Sequence, residues 1–440
     1  MDSRALTKIQ SAALIGIILV GVVAVGTAYM IWNASLLPLE NIVIGVCGDL
    51  DMGGGRSTLR GVTLAVEQLN AEGGILGRNI TIVTEDDDSQ TPPYDIARAS
   101  NALTKLITVD KADFIIATGG STSTIAFSTQ DICAEHKILV FTTQVGTDEF
   151  TQRVLDNYEK YKYVFRVHPN NASAAANGML SDVITVGNYT GLTKVALLFQ
   201  DFTTAKTAAT YLNENLPEYG FEIVYDKLVS RTVTDFTSYF AAVEASGAEI
   251  LVPYIAGDIG TAFVKEWYDR QSPTVVWGFI GEASESNFWN ITEGKCDTIS
   301  TVGSPVSSGY PLTSKTLPTR EAYIQRWEEV PTGPAIGAYD AMRFILPDAL
   351  KRAGTIETEA VIEELERTDV ETSSARHFVF TSSHDVMVGS GTVDDPAEKY
   401  IVLLNLQWQD GAQVPVKPEA IMREAGVTYK YPSWQGPWSK

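Results

Sequence analysis

Cysteine and histidine are scarce in this chain of 440 residues. The three cysteines, Cys47, Cys133 and Cys296, cannot all pair with one another, and their spacing matches no metal-binding framework. The four histidines are scattered and form no H-E-x-x-H motif or similar pair of ligands. We therefore expect buried free thiols, no metal site and no cofactor.

Positively charged residues are also few relative to negatively charged ones. The chain has 33 lysines and arginines against 54 aspartates and glutamates, which gives a formal net charge of -21 at pH 7. So acidic a chain is repelled by nucleic acid and by anionic membrane surfaces. The composition therefore argues against nucleic acid as a partner, although it selects no substrate.

The glycine signatures of nucleotide sites are missing from the place where one would stand. In a phosphate loop, a glycine, four residues and then Gly-Lys-Ser/Thr surround the phosphate with backbone N–H groups. Here Leu50 stands at the first glycine position, and Arg56 takes the place of the lysine. No G-x-G-x-x-G motif follows the strand either, so neither a nucleotide nor a dinucleotide site is expected.

What the chain does have around this loop is one complete α/β unit. The run from Ile42 to Val46 predicts a buried strand, apolar residues at helical spacing from Val62 to Leu69 predict an amphipathic helix, and Ile80 to Thr84 predicts a second strand. Strand, helix and strand at this spacing close as a parallel, right-handed crossover. Ligands bind outside the carboxyl ends of such strands, which here means the loop from Gly48 to Arg60.

One long hydrophobic run is present, from Ser11 to Trp32. It is longer than the core of about 7 to 15 residues in a cleaved signal peptide and reaches the roughly 20 residues that cross a bilayer. We therefore predict an uncleaved anchor, with a cleaved signal peptide as the alternative. Arg4 and Lys8 precede the run, which by the positive-inside rule places the rest of the chain outside. The predicted localisation is the cell membrane, with a single-pass N-terminal anchor and an extracytoplasmic domain.

Five Asn-X-Ser/Thr sequons are consistent with an exposed surface that carries glycans. They begin at Asn33, Asn79, Asn171, Asn188 and Asn290. Because so short a motif also arises by chance, the sequons support an extracytoplasmic location only modestly.

The helix of the first unit and its flanks follow a longer pattern of fixed spacings. The pattern reads G-x-x-L-A-x-x-x-x-N-x-x-G-G-x-x-G and is carried by Gly61, Leu64, Ala65, Asn70, Gly73, Gly74 and Gly77, with the acidic pair Asp86-Asp87 after the second strand. This stretch resembles the extracytoplasmic substrate-binding proteins of branched-chain amino acid ABC transporters, the Leu/Ile/Val-binding branch of the type I periplasmic binding proteins. Similar segments continue as far as Pro418.

The resemblance implies an α/β fold of two Rossmann-like lobes joined by three crossover strands, and the hydrophobic run predicts an N-terminal transmembrane helix ahead of them. The alternation of strands and helices along the chain accordingly runs twice. The boundaries that we predict are 1–10 for a cytoplasmic tail, 11–32 for the transmembrane anchor, 33–41 for a linker, 42–165 and 298–372 for the two parts of lobe 1, 166–297 for lobe 2, 373–418 for a closing segment and the second part of lobe 2, and 419–440 for a C-terminal tail.

On the first lobe, the resemblance implies that two strand-end loops hold the carboxylate of a ligand. Ser121, Thr122 and Ser123 open a predicted helix, whose amino terminus carries positive partial charge. Their hydroxyls could equally be ordinary helix caps, and the residues alone do not choose between the two roles. The resemblance favours the ligand. Thr143 and Gln144 lie in the next loop, where relatives carry Ser-Pro-Gly-Ala-Thr and this chain has no proline.

On the second lobe, the resemblance points to three residues. Relatives carry an aromatic-glycine pair that covers the ligand at the position where this chain has Ala205-Lys206. Phe202, a few residues earlier, is the candidate to replace that aromatic residue. Glu282 matches the acid that receives the ligand ammonium, and a carboxylate there suits the positive end of a zwitterion. A solvated loop acid is the alternative for Glu282, and Asp258 is a second candidate for the same role.

No nucleophile with a base and no pair of carboxylates stands out in the sequence, so we do not expect an enzyme. The resemblance implies instead an extracytoplasmic solute-binding protein, which the predicted anchor would attach to the membrane. It would capture an amino acid, branched-chain or otherwise small, in a cleft between the lobes and deliver it to the permease and ATPase subunits of an ABC transporter. A ligand-sensing ectodomain that acts through a partner receptor is the alternative.

Overall fold

The computed structural model describes residues 39–51, 53–88, 95–119, 123–389 and 400–435. The strands are β1 Ile42–Gly48, β2 Ile80–Asp86, β3 Phe114–Ala117, β4 Leu139–Thr142, β5 Val164–Arg166, β6 Lys194–Gln200, β7 Glu222–Val229, β8 Ile250–Ile255, β9 Val275–Val276, β10 Phe279–Ile280, β11 Ser300–Gly303, β12 Leu404–Gln409 and β13 Ala412–Lys417. The α-helices are α1 Gly53–Ala71, α2 Ile96–Thr108, α3 Ser123–His136, α4 Glu149–Asp156, α5 Tyr158–Tyr161, α6 Ala172–Thr190, α7 Thr203–Asn215, α8 Thr237–Ser246, α9 Gly260–Asp269, α10 Phe288–Ile291, α11 Pro305–Ser308, α12 Thr316–Trp327, α13 Gly333–Asp340, α14 Leu346–Ala353, α15 Thr358–Leu365 and α16 Glu419–Glu424. Short 3-10 turns cover Leu216–Tyr219 and Gly281–Ser284, and a π turn covers Ala341–Ile345.

The first sheet is parallel throughout and has the strand order β2-β1-β3-β4-β5. Its middle strands are short apolar runs that are buried along their whole length, which is typical of parallel strands covered on both faces. Each strand returns through a helix, as the right-handed crossover requires. We call the half of the molecule built on this sheet lobe 1.

The second sheet has the order β10-β8-β6-β7, with β9 also beside β8, and is parallel as well. An antiparallel sheet of β11, β12 and β13 continues it, because a parallel bridge joins Trp277 to Ser300. The half built on these two sheets is lobe 2. Its apolar residues form one core on each face of the parallel sheet, with α6 and α7 on one face and α8 and α9 on the other.

The described chain passes between the lobes three times. Residues 42–167 and 323–401 contribute to the core of lobe 1, whereas residues 176–299 and Trp408 contribute to the cores of lobe 2. The passages therefore lie after β5, after β11 and between Ile401 and β12. This division of the cores does not test the exact lobe boundaries predicted from the sequence, which stay a prediction.

Lobe 1 depends on the close approach of two helices that are far apart in the sequence. The backbone carbonyl of Ala335 in α13 lies so near Gly61 in α1 that a Cβ on Gly61 would collide with it. Any larger residue would push the helices apart, because the carbonyl belongs to the backbone and cannot rotate away. The close packing of α1 against α13 holds α1 in place, and the start of α1 borders the site described below.

The last described residues, after α16, are held along β12. The side chain of Gln407 donates to the carbonyl of Lys430 at 3.0 Å and accepts from its N–H at 2.9 Å. Gln409 donates to the carbonyl of Thr428 at 2.7 Å. Two glutamine amides thus bind the backbone of this segment much as a neighbouring strand would, which attaches the C-terminal segment to lobe 2.

The predicted membrane anchor, residues 11–32, lies outside the described residues. Among the helices that are described, none is both long enough and apolar enough to cross a bilayer. The two longest, α1 and α6, have 19 residues each and carry charged side chains, among them Arg60 and Asp182, whereas a span needs about 20 predominantly apolar residues. The localisation predicted from the sequence, a cell-membrane protein with a single-pass anchor, is corrected accordingly: the part of the chain that the structure describes contains no membrane span.

Candidate functional site

The carboxyl ends of the two parallel sheets face each other across the space between the lobes. Two close approaches join segments that follow these ends, Gly53 with Glu285 and Gly146 with Thr204. A third link, from Asp148 after β4 to Ser173 at the first turn of α6, lies just past the first passage between the lobes. In α/β sheets the carboxyl ends of the strands are where ligands bind. The interlobe space is therefore the candidate site.

On lobe 1, the structure brings together the loop after β4 and the first turns of α1. Thr143 is buried, and its hydroxyl lies 2.9 Å from that of Thr58. The side chain of Gln144 passes directly over Gly54, where a Cβ would collide with it. A Cβ on Gly54 would displace the end of the Gln144 side chain. The predicted residues Thr143 and Gln144 thus border the glycines that open α1, where the structure has a helix from Gly53 and the sequence predicted a loop as far as Arg60.

The other predicted residues of lobe 1 are less fully described. Ser121 and Thr122 lie outside the described residues. Ser123 is the first described residue of α3, so it does stand at a helix amino terminus, as the sequence predicts. The role of these three residues in holding a carboxylate stays a prediction.

On lobe 2, Phe202 belongs to a row of aromatic rings at the carboxyl edge of the sheet. It follows β6, is half-buried, and meets Tyr254 edge to face at 5.2 Å between ring centroids. Tyr254 in turn meets Phe279 edge to face at 5.5 Å. Edge-to-face pairs of this kind hold rings in fixed orientations. The row gives lobe 2 a rigid apolar surface beside the interlobe space.

Glu282 is engaged with a helix of its own lobe. Its two carboxylate oxygens accept hydrogen bonds from the backbone N–H of Thr261 at 2.8 Å and from the Thr261 hydroxyl at 3.0 Å. The acid thus caps the amino terminus of α9, where negative charge is favourable. Each oxygen has a further lone pair, so the cap leaves room for a ligand donor. Asp258 lies exposed in the loop after β8.

Glu285 is the carboxylate that sequence analysis did not select, and it is the one that faces lobe 1. Its Oε1 lies 3.9 Å from the position that a Cβ on Gly53 would occupy. Burial raises the pKa of Glu285, and Arg56 and Arg60 of lobe 1 oppose that shift. In the sequence only its spacing, one turn after Glu282, hinted at it. Which of two nearby acids points across the cleft depends on the turn between them.

Three carboxylates converge at the ends of β1 and β2. Oxygens of Asp49, Asp86 and Asp88 lie within 4.8 Å of one another. The guanidinium of Arg98 bonds to Asp88 and lies 3.8 Å from Asp86, so it brings positive charge to the group.

The three cysteines are free and buried, as expected.

This geometry agrees with what the chain is similar to. A model of the periplasmic binding protein family matches residues 43–390. The chain belongs to the periplasmic binding protein family. Its fold is the α/β, type I fold of that family with parallel sheets, which confirms the fold predicted from the sequence apart from the membrane helix. Proteins of this family bind solutes and are not enzymes.

Known relatives cover most of this periplasmic binding protein. It is 24% identical to Leu/Ile/Val-binding protein homolog 7 from Brucella suis biovar 1 (strain 1330) over 380 residues, 83% of this chain and 88% of that protein. A solved structure assigned to a branched-chain amino acid ABC transporter from Silicibacter pomeroyi shares 18% identity at a TM-score of 0.75, covering 90% of this chain and all of that one. The isoleucine complex of the substrate-binding protein LivJ from Streptococcus pneumoniae shares 21% identity at a TM-score of 0.69, covering 86% of this chain and 100% of that one.

Proposed function

We propose that this periplasmic binding protein captures an amino acid between its lobes and delivers it to the permease of an ABC transporter. The observation that carries the proposal is that the carboxyl ends of both parallel sheets face one interlobe space. The Brucella relative named for leucine, isoleucine and valine, and the solved isoleucine complex, support a branched-chain amino acid as the first ligand to test.

The proposed contacts follow the charges of a zwitterion. The ligand carboxylate would lie at lobe 1, held by Ser121, Thr122 and Ser123 with Thr143 and Gln144. The ligand ammonium would lie at lobe 2, where Glu282 supplies a carboxylate with unused acceptor positions. Asp258 is the second candidate for that role. The row of rings that begins at Phe202 would cover the apolar side chain of the ligand, because aromatic surface packs well against aliphatic groups.

A ligand series tests whether both charges of the amino acid are needed. Leucine, 4-methylpentanoate, which lacks the ammonium, and 3-methylbutylamine, which lacks the carboxylate, are compared by calorimetry and by thermal shift. A ligand that binds only the native state raises the melting temperature. We expect leucine to bind and both truncated analogues to bind weakly or not at all. If 4-methylpentanoate bound as tightly as leucine, the amino-acid assignment would fail while the fold assignment would stand.

Substitutions test which acid receives the ammonium. We expect Glu282→Gln to raise the Kd of leucine about 30-fold, because loss of a charge-assisted hydrogen bond costs about 2 kcal/mol. Thr261→Val is the matched control, since it removes one bond of the α9 cap but keeps the Glu282 charge. Glu285→Gln tests the neighbouring acid in the same way. If Glu282→Gln and Thr261→Val both lowered stability and neither changed the Kd, Glu282 would be a cap only.

A further inference from the structure

Four of the five sequons lie in the described part of the chain, and they differ in the conformation that they adopt. The sequon at Asn79 runs into β2, that at Asn188 ends α6, that at Asn290 lies in and just after α10, and that at Asn171 begins α6. A transferase that modifies such a sequon must reach both the asparagine amide and the hydroxyl two residues on. The conformation decides whether one enzyme surface can reach both.

The sequon at Asn79 presents both groups on one side; its Thr81 hydroxyl accepts one exposed hydrogen bond, from the Asn41 amide at 2.9 Å. The carbonyl of Asn79 accepts from the N–H of Ile42 at 2.8 Å, so the ladder with β1 already includes it. Side chains two apart on a strand point the same way, and accordingly Asn79 and Thr81 are both exposed while Ile80 between them is buried. The side chain of Asn70 bonds the N–H and the carbonyl of Ile80, at 2.8 and 2.9 Å, and holds this orientation.

The two helical sequons present only the asparagine. Residues two apart on a helix lie about 200° apart around its axis, so an exposed asparagine is followed by a buried threonine. Asn188 is exposed, but Thr190 is buried and its hydroxyl donates to the carbonyl of Val186 at 2.7 Å. Asn290 is exposed as well, whereas Thr292 is buried and donates to a backbone carbonyl one turn back.

The sequon at Asn171 is used inside the protein. The Asn171 side chain accepts from the N–H of Ala174 at 2.6 Å as the cap of α6, and it donates to Asp385 of lobe 1 at 3.0 Å. The hydroxyl of Ser173 donates to Asp148 at 2.8 Å. A sugar on Asn171 would replace an amide proton or occupy the space around the hydrogen bonds to Ala174, Asp385 and Asp148. These bonds lie at the first passage between the lobes.

We propose that Asn79 is the acceptor of an N-linked glycan in the folded protein, in preference to the other three described sequons. The co-substrate is a sugar carried on a polyprenyl diphosphate. The Asn79 amide nitrogen forms a bond to the anomeric carbon, the bond from that carbon to the diphosphate oxygen breaks, and the amide proton leaves with the released diphosphate. No oxidation or reduction is involved.

A glycan at Asn79 is compatible with ligand capture. Asn79 stands at the amino end of β2, and the candidate site lies beyond the carboxyl ends of the strands. The seven residues of β2 separate the two by about 20 Å. We therefore expect the glycosylated and unmodified proteins to show the same ligand-induced thermal shift.

The test is a modification reaction on the folded, purified full chain. The chain is incubated with a lipid-linked oligosaccharide and an oligosaccharyltransferase already shown to accept synthetic peptides of the Asn79, Asn188 and Asn290 sequons equally well. Intact-mass and peptide-mapping mass spectrometry then locate the glycan. Among the four described sequons we expect one glycan, at Asn79, on the wild-type chain and on Asn188→Gln and Asn290→Gln. Thr81→Val, which removes only the hydroxyl, should abolish it.

Because the peptides establish that the enzyme accepts each sequence, any difference on the folded chain comes from the fold. A glycan at Asn188 or Asn290 at an occupancy equal to that at Asn79 would overturn the proposal. So would an unmodified Asn79 on the folded chain, or a glycan at Asn171.

Discussion

Two titratable side chains lie at the end of β5 and just after it, and the groups around each one decide whether it carries a charge. Arg166 is fully buried at the end of β5, and its Nη1 lies 2.6 Å from Oδ2 of Asp385. His168, two residues further along, lies against Gly333 and Gly337 of α13. Burial there lowers the pKa of His168 to about 4. An imidazolium is costly in that position because it loses water without gaining an anion.

The stability of the protein should therefore fall in mild acid. In the unfolded chain the pKa of His168 is near 6.5, so between pH 6.5 and pH 4 the unfolded state binds a proton that the folded state does not. This contribution is constant above pH 6.5 and is lost as the pH falls towards 4. We expect His168→Gln to recover at most about 2 kcal/mol of the stability that wild type loses between pH 7.5 and pH 5.

Urea unfolding of both proteins at the two pH values measures this difference. His136→Gln, at an exposed histidine at the end of α3, controls for the loss of an imidazole as such. Parallel losses of stability in wild type and His168→Gln would show that the ring of His168 is not what couples folding to pH.

At the scale of elements, the C-terminal segment adds aromatic surface to lobe 2. Tyr429 stacks on Trp277 with ring centroids 5.1 Å apart, and Trp434 packs against Trp267 at 4.9 Å. The indole N–H of Trp434 donates to the carbonyl of Ser272 at 3.0 Å. With the backbone bonds made by Gln407 and Gln409, these contacts make the segment part of the folded lobe.

We expect Trp434→Ala to lower the free energy of unfolding by about 2 kcal/mol, less than for a fully buried tryptophan because this ring is half-exposed. Trp434→Phe is the matched control: it keeps most of the packing but removes the N–H donor, so it should cost about 1 kcal/mol. Chemical denaturation of the three proteins gives the comparison. Equal midpoints for wild type and Trp434→Ala would mean that the segment contributes nothing to lobe 2 in solution.

At the scale of the whole molecule, the contacts between the lobes govern how readily the cleft closes. Asp148 of lobe 1 accepts from the N–H and the hydroxyl of Ser173, at 3.1 and 2.8 Å, at the first turn of α6 in lobe 2. A rotation that opened the cleft about the nearby passage would stretch these bonds. Asp148 does not lie among the predicted ligand contacts, so its effect on binding would come through the closed state.

We expect Asp148→Asn to raise the Kd of the ligand about 5-fold, since an exposed bond of this kind contributes about 1 kcal/mol to the closed form. Small-angle scattering should show a larger radius of gyration for the variant. Asp95→Asn is the matched control, because Asp95 caps α2 in the same manner but entirely within lobe 1. If Asp95→Asn raised the Kd as much as Asp148→Asn, loss of a helix cap and not of an interlobe contact would explain the change.

The sequence by itself determined the fold class and the order of its elements. Runs such as Ile42 to Val46, apolar residues at helical spacing and the glycine pattern from Gly61 to Gly77 are local signals, and the backbone responds to its neighbours within a turn or two. The predicted strands from Ile42 to Val46 and from Ile80 to Thr84 lie within the observed β1 and β2. The same local reading assigned an anchor to residues 11–32, and the localisation built on it is corrected above.

Only the tertiary structure decided which side chains meet. Thr58 faces Thr143 across 85 positions of sequence, and Glu285 of lobe 2 faces the start of α1. Glu282 caps α9. The spacing of residues in the sequence did not predict this role, because the turn after β10 sets where each acid points. Such long-range pairs depend on how whole elements pack against one another. Packing is determined by the shapes of the element surfaces, which the local order of residue types does not specify. For that reason the family could be predicted from the chain, and the partners of its charged groups could not.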